Sequence, residues 1–284
     1  MNNRKNMNKR NIFLLLFFLP FWLLIACSQE NVNESDDLSG IPDGMGVVYF
    51  NMKAPTDIEI PTFMTRATHH FDLDPNTFYL AIYEDGASTP YKTFASYNAL
   101  VDSGLPLQLP VGKYQLLASS FEKKDQKVSK KPYFEGTTPF AVEEKRVSRA
   151  DVTCKYASMA VELRLSEQFR KLLEDTPLAY AFEMDVYNGD GDTKWSFYQR
   201  QKDGEDLEKS LDTGYFLTGC TREDGKLQVK VRVRLDSSDW YPERVFYLPE
   251  EGSIPKVGEY YVINLDAGPD AKAVMLDSFS IEEN

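Results

Sequence analysis

From Gly46 onward, apolar residues recur at every second position or gather in short runs rich in Val, Ile, Tyr and Phe, and Gly, Pro, Asn and Asp break the runs apart. A period of two sends successive side chains to opposite faces of a strand, so the pattern predicts sheets with one face packed and the other in water. The clearest stretch is Leu227-Gln228-Val229-Lys230-Val231-Arg232-Val233-Arg234-Leu235, apolar along one side and polar or basic along the other. In the first half, strands are expected at Val47–Met52, Thr77–Tyr83, Tyr91–Phe94, Leu105–Leu109, Lys113–Ser119, Thr138–Val142 and Arg146–Cys154. In the second they are expected at Met159–Leu165, Ala179–Tyr187, Trp195–Tyr198, Tyr215–Thr218, Leu227–Leu235, Val245–Leu248, Tyr260–Leu265 and Ala273–Ile281. One helix stands out, Glu167 to Asp175, with Ser166 as its N-cap, Phe169, Leu172 and Leu173 on one side, and Pro177 beyond its end.

Strands that recur without amphipathic helices between them fit an all-β chain of two antiparallel sandwiches in tandem better than an α/β sheet, with a single large sandwich as the alternative. The division falls near Cys154 to Ser158, giving an N-terminal sandwich over residues 46–156 and a C-terminal one over residues 157–284.

The amino end follows other rules. Arg4, Lys5, Lys9 and Arg10 precede the uninterrupted apolar run Ile12 to Ala26, the order of a secretory signal, so residues 1–26 are expected to be removed. The run is shorter than the ~20 apolar residues of a spanning helix. It ends in Leu24-Ile25-Ala26-Cys27, which resembles the lipobox of bacterial lipoproteins and makes Cys27 the expected lipidation site. A thiolate suits that chemistry because it is a good nucleophile. An ordinary signal peptide that happens to end at a cysteine is the alternative. Several acyl chains at ~0.8 kcal/mol per buried methylene would hold a protein on a bilayer without apolar protein surface. Residues 27–45 are polar and acidic, too poor in apolar groups to bury a core, and read as a flexible tether. Acidic residues just behind the lipid cysteine also resemble the surface-export signal of Bacteroidetes lipoproteins, which implies the outer face of the outer membrane.

Charge removes one class of partner. Four of the 32 basic residues and none of the 44 acidic ones lie in the signal, so the remaining chain carries 28 against 44, a net charge of −16. Such a charge repels nucleic acid. The basic group Lys123, Lys124, Lys127, Lys130 and Lys131 falls between two strand-like segments and is expected to be a solvated loop. Beyond Cys27 only Cys154 and Cys220 remain, without Cys-x-x-Cys spacing, and are expected as unpaired apolar thiols.

Three segments carry a family resemblance: Leu109-Pro110-Val111-Gly112-Lys113-Tyr114-Gln115-Leu116-Leu117-Ala118; Pro132-Tyr133-Phe134-Glu135-Gly136 with Pro139-Phe140-Ala141-Val142; and Val152-Thr153-Cys154-Lys155-Tyr156-Ala157 running into Val161-Glu162-Leu163. Tyr215-Phe216-Leu217 and Gly258-Glu259-Tyr260-Tyr261 add to it. Together they resemble a Bacteroidetes lipoprotein family of unknown function, related in architecture to the fimbrillin-like proteins of type V pili. The resemblance implies transthyretin-like sandwiches, a lipid-anchored outer-membrane location, and a role in adhesion or in pilus anchoring and assembly, with pilus subunits or other surface proteins as partners. Fimbrillin-like precursors are commonly cut after an arginine in a loop behind the first strand, and Thr65-Arg66-Ala67 occupies the matching place. A cut after Arg66 would free Val47–Met52 and open a groove for a partner's strand. It would also part the body from its lipid, and an exposed loop arginine is the plainer explanation.

Catalytic patterns are missing from the sequence. The two histidines, His69 and His70, are adjacent, and neighbours on a strand face apart. No Gly-x-Ser-x-Gly elbow accompanies them. Asp185, Asn188, Asp190 and Asp192 offer oxygen ligands around a tight turn, a calcium candidate, but Thr193 stands where an EF-hand has glycine and Gln199 where it has glutamate. A hairpin turn at Asn188-Gly189 explains the same residues. The chain therefore reads as a non-enzyme without cofactors. Trp195, Trp240 and Tyr241 leave a carbohydrate-binding lipoprotein serving glycan capture as the alternative function, against plain core packing.

Overall fold

The computed structural model describes residues 38–282 except 56, 62–65, 176, 178–179, 202–203, 235–238, 251 and 268–273. The expected signal, Cys27 and most of the expected tether therefore lie outside the described residues.

The first half holds β1 (Met45–Lys53), β2 (Asp57–Pro61), β3 (Arg66–His70), β4 (Tyr79–Glu84), β5 (Lys92–Phe94), α1 (Tyr97–Asp102), β6 (Leu107–Pro110), β7 (Gly112–Ser119), β8 (Val128–Ser129), β9 (Phe134–Val142), β10 (Val147–Thr153) and β11 (Lys155–Tyr156). A sheet ordered β10-β1-β6 packs on a sheet ordered β11-β9-β7-β4-β5, while β2 and β3 form a separate two-stranded ribbon. The second half holds β12 (Met159–Leu165), α2 (Glu167–Asp175), β13 (Ala181–Tyr187), β14 (Lys194–Arg200), β15 (Glu208–Ser210), β16 (Gly214–Phe216), β17 (Leu227–Arg234), β18 (Arg244–Leu248), β19 (Tyr260–Ala267) and β20 (Val274–Glu282). Its sheets run β20-β19-β12-β16-β8 and β15-β14-β13-β17-β18.

The protein is all-β, and the two sandwiches repeat one strand plan. β1 lies between parallel β10 and antiparallel β6, as β12 lies between parallel β19 and antiparallel β16. β4 lies antiparallel between β5 and β7, with β9 beyond, as β13 lies between β14 and β17, with β18 beyond. Antiparallel pairs dominate. Among the described residues each half has one parallel pair, a detail that alternation alone does not encode, because a strand buried on one face reads the same whichever way its neighbour runs.

Each half has its own core. Val48, Phe50, Leu80, Ile82, Leu116 and Phe134 anchor the first, and Phe169, Phe182, Met184, Phe197, Phe216 and Tyr261 the second. Burying each such side chain contributes roughly 1.5–3 kcal/mol. β17 shows the alternation at work: Leu227, Val229, Val231 and Val233 are buried while Gln228, Lys230, Arg232 and Arg234 face outward. At the joint both faces of β12 and β19 contribute buried apolar side chains. Met159, Val161, Leu163, Tyr261 and Ile263 enter the second core, whereas Ala160, Tyr260 and Val262 enter the first. β8 adds a second stitch, since it belongs by sequence to the first half but pairs with β16 of the second.

α2 matches its expected span, and the Phe169 N–H donates to Ser166 Oγ at 3.1 Å. α1 was not expected. Its six residues are too few to show a helical period, yet Ser96 caps it by accepting from the Ala99 N–H at 3.0 Å, and Leu100 buries beneath it. Cys154 and Cys220 are both free. Burial, helped by nearby Glu135, pushes the Cys154 thiol up to about 12, so it remains a protonated core residue.

Candidate interaction surfaces

β1 is the middle strand of its sheet, with Val47, Val48 and Phe50 buried. Past Val48 its β6 side has no β6 partner, and Tyr97 OH of α1 donates to the Phe50 carbonyl there at 2.9 Å. The chain then enters the ribbon, in which Arg66 opens β3 opposite Pro61. Arg66 thus begins a strand, while Thr65 and the ribbon's tip lie outside the described residues. His69 and His70 are the last residues of β3, paired with Ile58 and Asp57. At the ribbon's foot is a cavity of about 340 Å³, with Phe71, Phe78 and Phe121 in its wall and exposed His70, Asp72 and Lys131 beside them.

The lysine-rich segment does more than meet water. Lys123 Nζ donates to the Leu217 carbonyl at 3.3 Å and sits 5.6 Å from the Tyr133 ring centre. Lys127 pairs with Asp190 at 2.7 Å, tying this loop to the turn between β13 and β14. Lys124, Lys130 and Lys131 are exposed, as expected of a loop.

That turn contains the calcium candidates, and the structure gives Asp185, Asn188 and Asp190 protein partners of their own. Asp185 accepts from Lys194 Nζ and Ser196 Oγ, both at 2.6 Å. Asn188 is buried; its Nδ2 donates to Thr218 Oγ1 at 3.0 Å and its Oδ1 accepts from the Asp190 N–H at 3.2 Å. Asp190 faces Lys127, and Asp192 is exposed. Among the described residues no three His, Cys, Asp or Glu side chains gather as a metal site would require. Gly189 and Gly191 have positive φ, +89° and +60°, which is the turn geometry that Asn-Gly favours.

The three aromatic candidates divide. Trp195 points to the core side of β14, its Nε1 donating to the Asp212 carbonyl at 2.9 Å and its ring filling the space a Cβ on Gly214 would need. Trp240 lies instead on the outward face of the β15-β14-β13-β17-β18 sheet, with the Arg232 guanidinium 4.9 Å from its ring centre. Tyr241 follows it and is exposed.

On that face Glu183 binds Arg200 and Arg232, and Arg200 also pairs with Glu208 at 2.6 Å. The hydrogen bonds that Arg200 donates to Glu208 and Glu183 raise its pKa, and the one Lys194 donates to Asp185 raises that of Lys194, so both stay charged. Sequence reasoning identified the rings of Trp240 and Tyr241 but missed Tyr187, Tyr198 and Tyr247. The signal available was their position on the polar side of each alternating strand.

A family model described as a domain of unknown function, DUF4493, matches residues 44–275. The chain belongs to the DUF4493 family. No curated protein matches it. Among solved structures, this DUF4493 chain is similar to a candidate polysaccharide-binding protein from Bacteroides thetaiotaomicron, at 10% identity over 84% of this chain and 98% of the other, TM-score 0.44. It is also similar to a fimbrial assembly protein from Parabacteroides distasonis, at 13% identity over 83% and 99%, TM-score 0.38. A third is a candidate cell adhesion protein from Bacteroides eggerthii, at 10% identity over 85% and 95%, TM-score 0.38.

Proposed function

We propose that this DUF4493 protein is a lipid-anchored, non-enzymatic component of the outer membrane's outer face that works through protein contacts, in adhesion or in anchoring and assembling a fimbria. The lipobox-like Leu24-Ile25-Ala26-Cys27 supports the anchor. The observation that carries the contact role is β18. It is the last strand of its sheet among the described residues, contains no proline, and exposes Val245 and Tyr247. Proteins usually blunt such edges, because unpaired N–H and C=O groups invite another chain's strand.

Capture from intact cells with a tag at the carboxyl end tests the role. Recovery of pilin subunits is expected, and their absence from repeated captures contradicts it. Two versions of the role differ at Arg66. A cut there would free β1 from between β10 and β6 and leave its place to a partner's strand, whereas an anchor keeps the bond and its lipid. Mass spectrometry of native material decides between them: an intact bond at Arg66 in assembled protein ends the exchange version.

A further inference from the structure

The outward face of β13, β14, β17 and β18 combines rings and cations in register. One cross-strand row reads Tyr198, Glu183, Arg232; the next Ser196, Asp185, Lys230, Val245; the third Lys194, Tyr187, Gln228, Tyr247. Each of the four rings on this face carries a cation. Lys194 and Lys230 lie 5.9 and 5.1 Å from the Tyr187 ring centre, Arg200 lies 5.0 Å from that of Tyr198, Arg222 lies 5.2 Å from that of Tyr247, and Arg232 and Arg234 flank Trp240. These contacts hold the cations in place without burying them.

Charge sets the sign of a ligand. Lys194, Arg200, Arg222, Lys230, Arg232 and Arg234 meet four carboxylates, those of Glu183, Asp185, Glu208 and Asp224. Among these described groups cations outnumber carboxylates by six to four, on a chain whose formal charge is −12. Focused positive charge on an acidic protein attracts anions to that face. The carboxylates refine the choice further. Glu183 and Asp185 sit mid-face, held by Arg200, Arg232 and Lys194, where their remaining lone pairs can accept hydrogen bonds from hydroxyl groups. The exposed Tyr247 ring and the half-buried rings of Tyr187 and Tyr198 present apolar surface with a polar edge, suited to the C–H face of a pyranose. Hydroxyls, an apolar ring face and spaced carboxylates occur together in an acidic polysaccharide.

We propose that this face binds a carboxylate-bearing polysaccharide, with Lys230, Arg232 and Arg222 facing its carboxylates and Tyr187, Tyr198 and Tyr247 its sugar rings. The inference goes beyond the protein-contact role and does not depend on it. A protein that recovers pilin but ignores the polysaccharide overturns only this inference, and the converse overturns only the contact role.

The test is affinity electrophoresis of the full-length lipidated protein in detergent, in gels containing polygalacturonate, neutral dextran or duplex DNA. Retardation by polygalacturonate alone is expected, weakening as salt rises. The variant Lys230→Gln with Tyr247→Ala, both on the outward face, should bind about ten-fold more weakly while its melting curve shows it folded. Absence of retardation by polygalacturonate overturns the proposal. So does equal retardation by DNA, which would mark an unselective cationic patch, and so does undiminished binding by the folded double variant.

Discussion

In the first sandwich β9 comes up against its neighbours at two glycines, whereas in the second the matching flank is taken by an added strand. A Cβ on Gly136 would lie 2.4 Å from the Thr153 carbonyl oxygen at the end of β10, and one on Gly46 would lie 2.2 Å from the Glu143 carbonyl oxygen just past β9. Among the described glycines none makes such an approach between β18 and β19. There β20 pairs along β19 from Tyr260 to Ala267, and β8 covers the far side of β16. One strand plan thus leaves its sheet edges to be satisfied in two ways, by close backbone approach or by recruited strands. Among the described residues β18 ends its sheet, as β15 does at the other side, and it lies beside the cation-bearing face. The contrast is thus between close glycine approaches in the first half and recruited strands in the second.

Several substitutions would break or sharpen that contrast. The largest effect is expected from emptying either core. Phe134→Ala and Phe182→Ala, one in each core and both fully buried, should each cost about 3–5 kcal/mol in denaturant unfolding. Because Ala160, Tyr260 and Val262 lie in the first core while their strand neighbours lie in the second, both variants should shift one shared transition. Two separate transitions would show that the sandwiches fold independently.

Gly136→Ala comes next, expected to cost about 1–3 kcal/mol by overpacking, since its Cβ has no room beside Thr153 and Cys154. An unchanged melting temperature would mean that the approach of β9 to β10 is not what closes the first sandwich.

A smaller, pH-limited effect belongs to Cys154. Burial raises its folded pKa from the ordinary thiol value of 9.0 to about 12. The unfolded chain therefore loses this proton first, and the thiol's contribution, complete below pH 9, declines as pH rises toward 12. Cys154→Ala should flatten stability across that alkaline window relative to the parent chain. In native protein Cys220, which is half-buried, should react with a thiol reagent before Cys154, and equal rates would contradict the burial.

The smallest effect is expected at the stitch between the halves. Lys127→Ala removes a partly exposed ion pair with Asp190 and should cost about 0.2–1 kcal/mol, less at high salt. No change in thermal unfolding at low salt would leave β8 and the Lys123 contact to carry that stitch.

Where side chains alternate over five or more residues, as at Lys113–Ser119 or Leu227–Arg234, the sequence alone places the strand to within a residue or two. α2 is legible for a related reason, an N-cap serine followed by a one-sided apolar stripe. β8, β11 and β15 are not legible, because two or three residues show no period and are strands only through their partners. The repeat of the strand plan is invisible as well, since it resides in pairing and the two halves preserve only apolar alternation. Of the candidate surfaces, the basic loop was visible as charge, but its reach to Leu217 and Asp190 depends on tertiary placement. Trp195 and Trp240 look equivalent as residue types; only register separates the one beside Val186, on the core side, from the one beneath Arg232.

Cell fractionation with a Cys27→Ser substitution addresses the lipid anchor most directly. With cysteine in place, the protein should partition with the outer membrane and be cleaved when intact cells are treated with protease. With serine it should leave the outer-membrane fraction. A serine variant that still partitions into the envelope as before would contradict lipid anchoring at Cys27, and with it the proposal that this residue holds two β-sandwiches at the cell surface.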